Sequence, residues 1–100
     1  VEFKIVWSDA ALCEFKSIND YPRKRSISGA ESVRLAILDE LDAVAHHPLM
    51  GAVYQRDHSG QTREVVCGSY RIFYSVNESA KAIEVLLIWH SARDEPDLQH

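Results

Sequence analysis

The chain has 100 residues, 46% hydrophobic and 26% charged, which is enough for one compact domain over 1–100 and too little for two. The formal charge of −4 excludes the strongly basic footprint of a chain that binds nucleic acid over its whole surface. No apolar run nears the roughly 20 residues a membrane helix needs.

The N-terminus lacks a signal-peptide pattern. Cys13 and Cys67 lie far apart and share no CxxC spacing, so they read as buried free thiols of a reducing cytosol.

Residues 2–7 alternate, with Phe3, Ile5 and Trp7 on one side and Glu2 and Lys4 on the other. This pattern predicts a half-buried strand. Ser8 offers an N-cap, and Asp9 suits the first turn of a helix. Ala11, Phe15 and Ile18 follow at helical spacing, and Pro22 should stop this helix near Tyr21. A short basic connection, Arg23-Lys24-Arg25, comes next. Ser28-Gly29-Ala30-Glu31 matches a capping box. Ala30, Val33, Ile37, Leu41 and Val44 then form an apolar stripe, which predicts a helix over 29–46 ended by Pro48.

Residues 48–61 read as a loop. Three strands are predicted after it, at 62–67, 70–76 and 81–90. Gly68-Ser69 suits a two-residue hairpin turn with Gly first, and Asn77-Glu78-Ser79-Ala80 a four-residue one. The order is an N-terminal strand, a two-helix hairpin and a three-strand antiparallel meander. This is an α+β arrangement with the helices on one sheet face.

The two turns set the expected register. Val66 should face Arg71, Glu64 should face Phe73, Tyr74 should face Ile83 and Ile72 should face Val85. Tyr70, Ile72, Tyr74, Val76, Ile83, Val85, Leu87 and Trp89 would then lie under the helices. The opposite face would carry Val66, Phe73, Leu86 and Ile88 beside Arg71 and His90. That face is apolar enough to be an interaction surface. A one-residue slip would exchange the two faces.

The stretch Arg63-Glu64-Val65-Val66-Cys67-Gly68-Ser69-Tyr70-Arg71-Ile72-Phe73-Tyr74 resembles the central hairpin of the RelE/ParE superfamily of bacterial toxins. Ile88-Trp89-His90-Ser91-Ala92-Arg93-Asp94 resembles the closing strand of that superfamily, with Ser91 in place of the usual Gly. Pro48-Leu49-Met50-Gly51 resembles its P-x-x-G after the second helix. The resemblance covers nearly the whole chain and leans toward the ParE branch. It implies the toxin of a type II toxin–antitoxin pair in the bacterial cytoplasm, neutralised by a cognate antitoxin. For the ParE branch it implies inhibition of DNA gyrase without enzymatic chemistry. For the RelE branch it implies cleavage of mRNA on the ribosome.

RNA cleavage requires a base for the ribose 2′-OH, an acid for the leaving oxygen and cations near the phosphorane. Arg63, Arg71, His90 and Arg93 are the residues that could supply these. Arg71 equally suits an ion pair with Glu64 or Glu84, His90 a backbone bond at a strand end, and Arg93 a pair with Asp94 or Asp97. No Lys joins this group, and an acidic chain is poorly suited to docking on ribosomal RNA. The expected antitoxin surface is Val66, Arg71, Phe73, Leu86 and Ile88, with strand addition along a sheet edge. Adjacent His46 and His47 cannot place both rings on one metal from one helix face. No metal, cofactor or membrane partner is expected.

Overall fold

The computed structural model describes residues 2–18, 27–56 and 61–90. Its elements are β1 (Lys4–Trp7), α1 (Asp9–Ser17), α2 (Ile27–His46), β2 (Ala52–Val53), β3 (Thr62–Cys67), β4 (Tyr70–Asn77) and β5 (Ala82–His90). They form a single α+β domain around a five-stranded sheet of order β1-β5-β4-β3-β2. β1 runs parallel to β5, and the remaining pairs are antiparallel. The strand–helix–helix–meander order matches the sequence expectation.

Ser8 ends β1 and starts α1 in one step. Its Oγ accepts from the Ala11 amide at 3.1 Å, satisfying one of the donors that a helix N-terminus leaves open. α1 stops at Ser17, short of the expected Tyr21, and the Ile18 amide closes its last turn on the Phe15 carbonyl at 3.3 Å. α2 begins at Ile27. Ser28 therefore lies inside the first turn and not at the N-cap position that a capping box requires. The Arg23-Lys24-Arg25 connection lies outside the described residues.

Both helices bury their stripes on one sheet face. Ala11 from α1 and Ile18 at its C-cap join Ile37, Leu41 and Val44 from α2 over Ile72, Tyr74, Ile83, Val85 and Ile88. Fully burying one such aliphatic side chain contributes about 1.5–3 kcal/mol. Trp7 and Phe15 close the β1 side of this core with ring centroids 5.0 Å apart.

The first hairpin has the expected register, with Val66 opposite Arg71 and Glu64 opposite Phe73. Gly68 takes φ +60° at the first turn position, a conformation that costs a residue with a Cβ about 1–2 kcal/mol. The second hairpin departs from expectation. Its loop is residues 78–81, with Asn77 opposite Ala82, so Val76 and not Tyr74 faces Ile83.

A bulge then interrupts β5. Tyr74 pairs with Val85 and Phe73 pairs with Leu87, leaving Leu86 without a partner on β4. One extra residue reverses the alternation beyond it. Ile88 and His90 therefore move to the helix face, opposite Ile72 and Tyr70, while Leu87 and Trp89 move to the other face, opposite Phe73 and Arg71. This corrects the expected positions of all four residues. Ser8 holds the bulge in place. Its Oγ donates to the Leu86 carbonyl at 2.9 Å, and its amide donates to the Val85 carbonyl at 3.0 Å.

The segment expected to be one loop contains β2, which pairs Ala52 with Glu64 and Val53 with Arg63. A two-residue strand held by a neighbour leaves no alternation to read.

Candidate functional site

The candidate residues divide between the two sheet faces. Arg71 lies on the face away from the helices. Its guanidinium forks onto the Glu64 carboxylate, with Nη2–Oε1 at 3.1 Å and Nε–Oε1 at 3.3 Å. The two side chains are 18% and 21% exposed, so this pair is better shielded from water than an ordinary surface bridge. The guanidinium carbon also sits 5.0 Å from the Phe73 ring centre and 5.9 Å from that of Tyr54. Tyr54 meets Phe73 edge-on at 4.8 Å. Phe73 is thus fully buried on the face that carries no helix, beneath a lid made by Tyr54 and Arg71.

His90 belongs to the other face. It lies opposite Tyr70, with ring centroids 5.0 Å apart in an edge-on contact. The expectation that Arg71 and His90 share a face is therefore overturned by the bulge at Leu86. Arg93 lies outside the described residues.

Arg63 serves the segment after α2. Its Nη1 donates to the Gly51 carbonyl at 2.7 Å and to the Leu49 carbonyl at 3.4 Å. Tyr74, its partner on β4, completes the clamp. The Tyr74 hydroxyl donates to the Pro48 carbonyl at 2.9 Å and accepts from the Gly51 amide at 2.9 Å. A Cβ on Gly51 would stand 2.6 Å from that hydroxyl and 2.8 Å from the Glu64 carbonyl. Burial raises the Tyr74 phenol above its ordinary value, although the Gly51 amide and Arg63 pull the other way. Pro48-Leu49-Met50-Gly51 is therefore a structural clasp. Tyr74 was assigned no such role from sequence, because its partners are backbone groups that no side-chain pattern announces.

The proposed apolar strip also divides. Val66 is 64% exposed and remains available to a partner. Ile88 is only 1% exposed within the helix-side core, and Phe73 is covered, so neither presents surface to a docking protein. Leu86 is half-buried at the bulge. Leu49, Met50 and Val53 are exposed instead, beside β2 at the edge of the sheet.

Cys67 is half-buried, and Cys13 is exposed. Burial, followed by the Glu40 and Asp39 charges, raises the Cys67 thiol above its ordinary value. No described helix is long and apolar enough to cross a membrane.

The family model for the ParE toxin of the type II toxin–antitoxin system parDE matches residues 5–95. No curated protein matches the sequence at a significant level. Among solved structures, the fold resembles a chain of the chromosomal ParDE system of P. aeruginosa, with a TM-score of 0.72 and 15% identity, covering 89% of this chain and 96% of that one. It also resembles a chain of the intact E. coli RelBE toxin–antitoxin complex, with a TM-score of 0.66 and 20% identity over 91% and 99% of the two chains. A chain of a RelBE toxin–antitoxin complex from Mycobacterium tuberculosis gives a TM-score of 0.66 and 16% identity over 90% and 99%. The matched family model spans nearly the whole chain and the shared fold is that of the RelE/ParE group, so the chain belongs to the RelE/ParE superfamily of toxins of type II toxin–antitoxin systems.

Proposed function

We propose that this toxin inhibits DNA gyrase in the manner of the ParE branch and does not cut mRNA. The observation that carries this reading is the separation of Arg71 from His90 across the sheet. A proton-transferring imidazole and a phosphate-clamping guanidinium must converge on one phosphodiester, and these two face opposite ways. The Arg71 guanidinium is also engaged by Glu64, and Arg63 holds backbone carbonyls. The net charge of −4 further disfavours docking on ribosomal RNA, where phosphate neutralisation supplies much of the affinity.

The cognate antitoxin is a protein that docks at the β2 edge, where Leu49, Met50 and Val53 are exposed, and extends to Val66. Three considerations support this reading. The solved relatives are toxin–antitoxin systems or complexes. A sheet edge offers backbone donors and acceptors to an added strand. Exposed apolar side chains beside that edge give the partner something to cover.

The test runs two assays side by side, one of gyrase supercoiling and one of ribosome-dependent mRNA cleavage, each with wild type and His90→Ala. Gyrase inhibition without mRNA cleavage is expected. An unaffected gyrase, together with mRNA cleavage that His90→Ala abolishes, would place the protein in the RNase branch.

A further inference from the structure

We propose that Glu2, Asp42 and His46 form a surface site for a divalent transition-metal ion of the zinc class. One donor atom from each residue lies within 4.8 Å of the others, and all three side chains are exposed. Asp42 and His46 stand four residues apart on α2, so they share one face of the helix. Glu2 arrives from the segment that precedes β1. The buried neighbour Phe3 fixes its backbone, because the Phe3 amide donates to the Ala45 carbonyl at 3.0 Å. The donors therefore come from two elements already tied together by the fold.

One nitrogen of the imidazole is already engaged by the helix backbone. His46 Nδ1 lies 2.9 Å from the Asp42 backbone carbonyl. A carbonyl oxygen can only accept, so Nδ1 donates in this bond, and Nε2 is the nitrogen that can take a metal once its own proton leaves. Metal-bound histidines are held in the same way, with the other ring nitrogen donating to a carbonyl or carboxylate. Two carboxylates and the negative end of the α2 dipole draw a cation to this spot. The single imidazole then selects zinc-class ions over Mg²⁺ and Ca²⁺, which prefer all-oxygen shells. Water completes a tetrahedral shell from the open side. Sequence spacing alone concealed this arrangement, since adjacent His46 and His47 diverge and Glu2 lies far away in the chain.

The experiment is calorimetric titration of the purified full chain with ZnCl2, and separately with MgCl2, in a non-chelating buffer near neutral pH. It uses wild type, His46→Ala, Glu2→Gln and His47→Ala, with thermal unfolding followed in parallel. One Zn²⁺ per chain is expected, weakened about tenfold or more in both His46→Ala and Glu2→Gln and unchanged in His47→Ala. Zn²⁺ should raise the melting temperature of wild type but not of His46→Ala, and Mg²⁺ should do neither. Three results would overturn the proposal. The first is absence of Zn²⁺ binding to wild type, which leaves an ion-paired cluster only. The second is equal affinity in wild type and either His46→Ala or Glu2→Gln. The third is loss of binding in His47→Ala. None of these readouts involves gyrase or the ribosome, so the outcome is independent of the proposed function.

Discussion

The Tyr74 hydroxyl and the Gly51 amide are joined by a hydrogen bond of 2.9 Å across 23 positions of sequence, and the same hydroxyl reaches back to Pro48. This one phenol holds the turn that leads from α2 into β2. We predict that Tyr74→Phe destabilises the fold by about 1–3 kcal/mol, because it strands the Gly51 amide and the Pro48 carbonyl. Urea unfolding near neutral pH measures this. The alkaline limb adds a second check. Burial raises the folded-state pKa of Tyr74 above its ordinary value of 10.0. The stabilisation is therefore complete below about pH 10 and is lost as pH rises through the folded-state value. The stability gap between wild type and Tyr74→Phe should narrow on that limb. A gap that stays constant with pH would refute the assignment.

Gly51 and Gly68 are required for different reasons, and their substitutions should differ in size. At Gly51 a Cβ meets the Tyr74 hydroxyl and the Glu64 carbonyl within 2.8 Å. Gly51→Ala should therefore cost about 1–3 kcal/mol or more through overpacking against backbone, and it should disturb the Tyr74 bond as well. At Gly68 nothing lies within 4 Å of an added Cβ, and only φ +60° resists it. Gly68→Ala should cost about 1–2 kcal/mol. Melting curves of the two variants decide the order, and a larger loss at Gly68 would contradict it.

Most of the fold was legible in the sequence, because apolar positions recur at period two in the strands and at three or four in the helices. The face assignment beyond Leu86 was not. Val85, Leu86, Leu87, Ile88 and Trp89 are all apolar, so the run contains no alternation in which a change of phase could show. The extra residue shows only in the folded pairing, where Ser8, with its hydroxyl and backbone amide, binds at the bulge from another strand end. Glu64 was one of two readable partners for Arg71, with Glu84 the other, and the structure selects Glu64. The roles of Arg63 and Tyr74 were hidden because their partners are carbonyls and an amide, which every residue possesses.

The pair on the open face makes a third prediction. Arg71 and Glu64 should be coupled by about 1 kcal/mol in a double-mutant cycle of Arg71→Ala and Glu64→Ala, because the fork is well formed and partly shielded. Arg71→Lys should lose much of that coupling, since an ammonium can neither fork nor stack as flatly over Phe73 and Tyr54. Coupling indistinguishable from zero would reduce the contact to an ordinary surface bridge.

The two thiols should react in a fixed order. Cys13 is exposed, whereas Cys67 is half-buried beside Glu40 and Asp39 and has a raised pKa. The thiolate is the reactive form, so a raised pKa and restricted access both slow alkylation. Limited iodoacetamide treatment at mildly alkaline pH, followed by peptide mass analysis, should find Cys13 modified well before Cys67. The reverse order would contradict the placement of Cys67 against α2.

The antitoxin surface can be tested by charge placement. Met50 and Val53 flank the β2 edge, and Val66 stands proud of the open face, all three exposed. A partner that covers apolar side chains there must desolvate any carboxylate put in their place, and an unpaired buried charge is costly. We predict that Met50→Asp, Val53→Asp and Val66→Asp each weaken capture of the cognate antitoxin by about tenfold or more, equivalent to roughly 1.4 kcal/mol. Leu12→Asp provides the control, because Leu12 is also exposed but lies on α1, away from this edge. Circular dichroism should show all four variants folded, since none of these side chains belongs to the core. If the three edge variants bind as wild type while Leu12→Asp does not, the partner docks on the helix side, and the β2 edge is not its site.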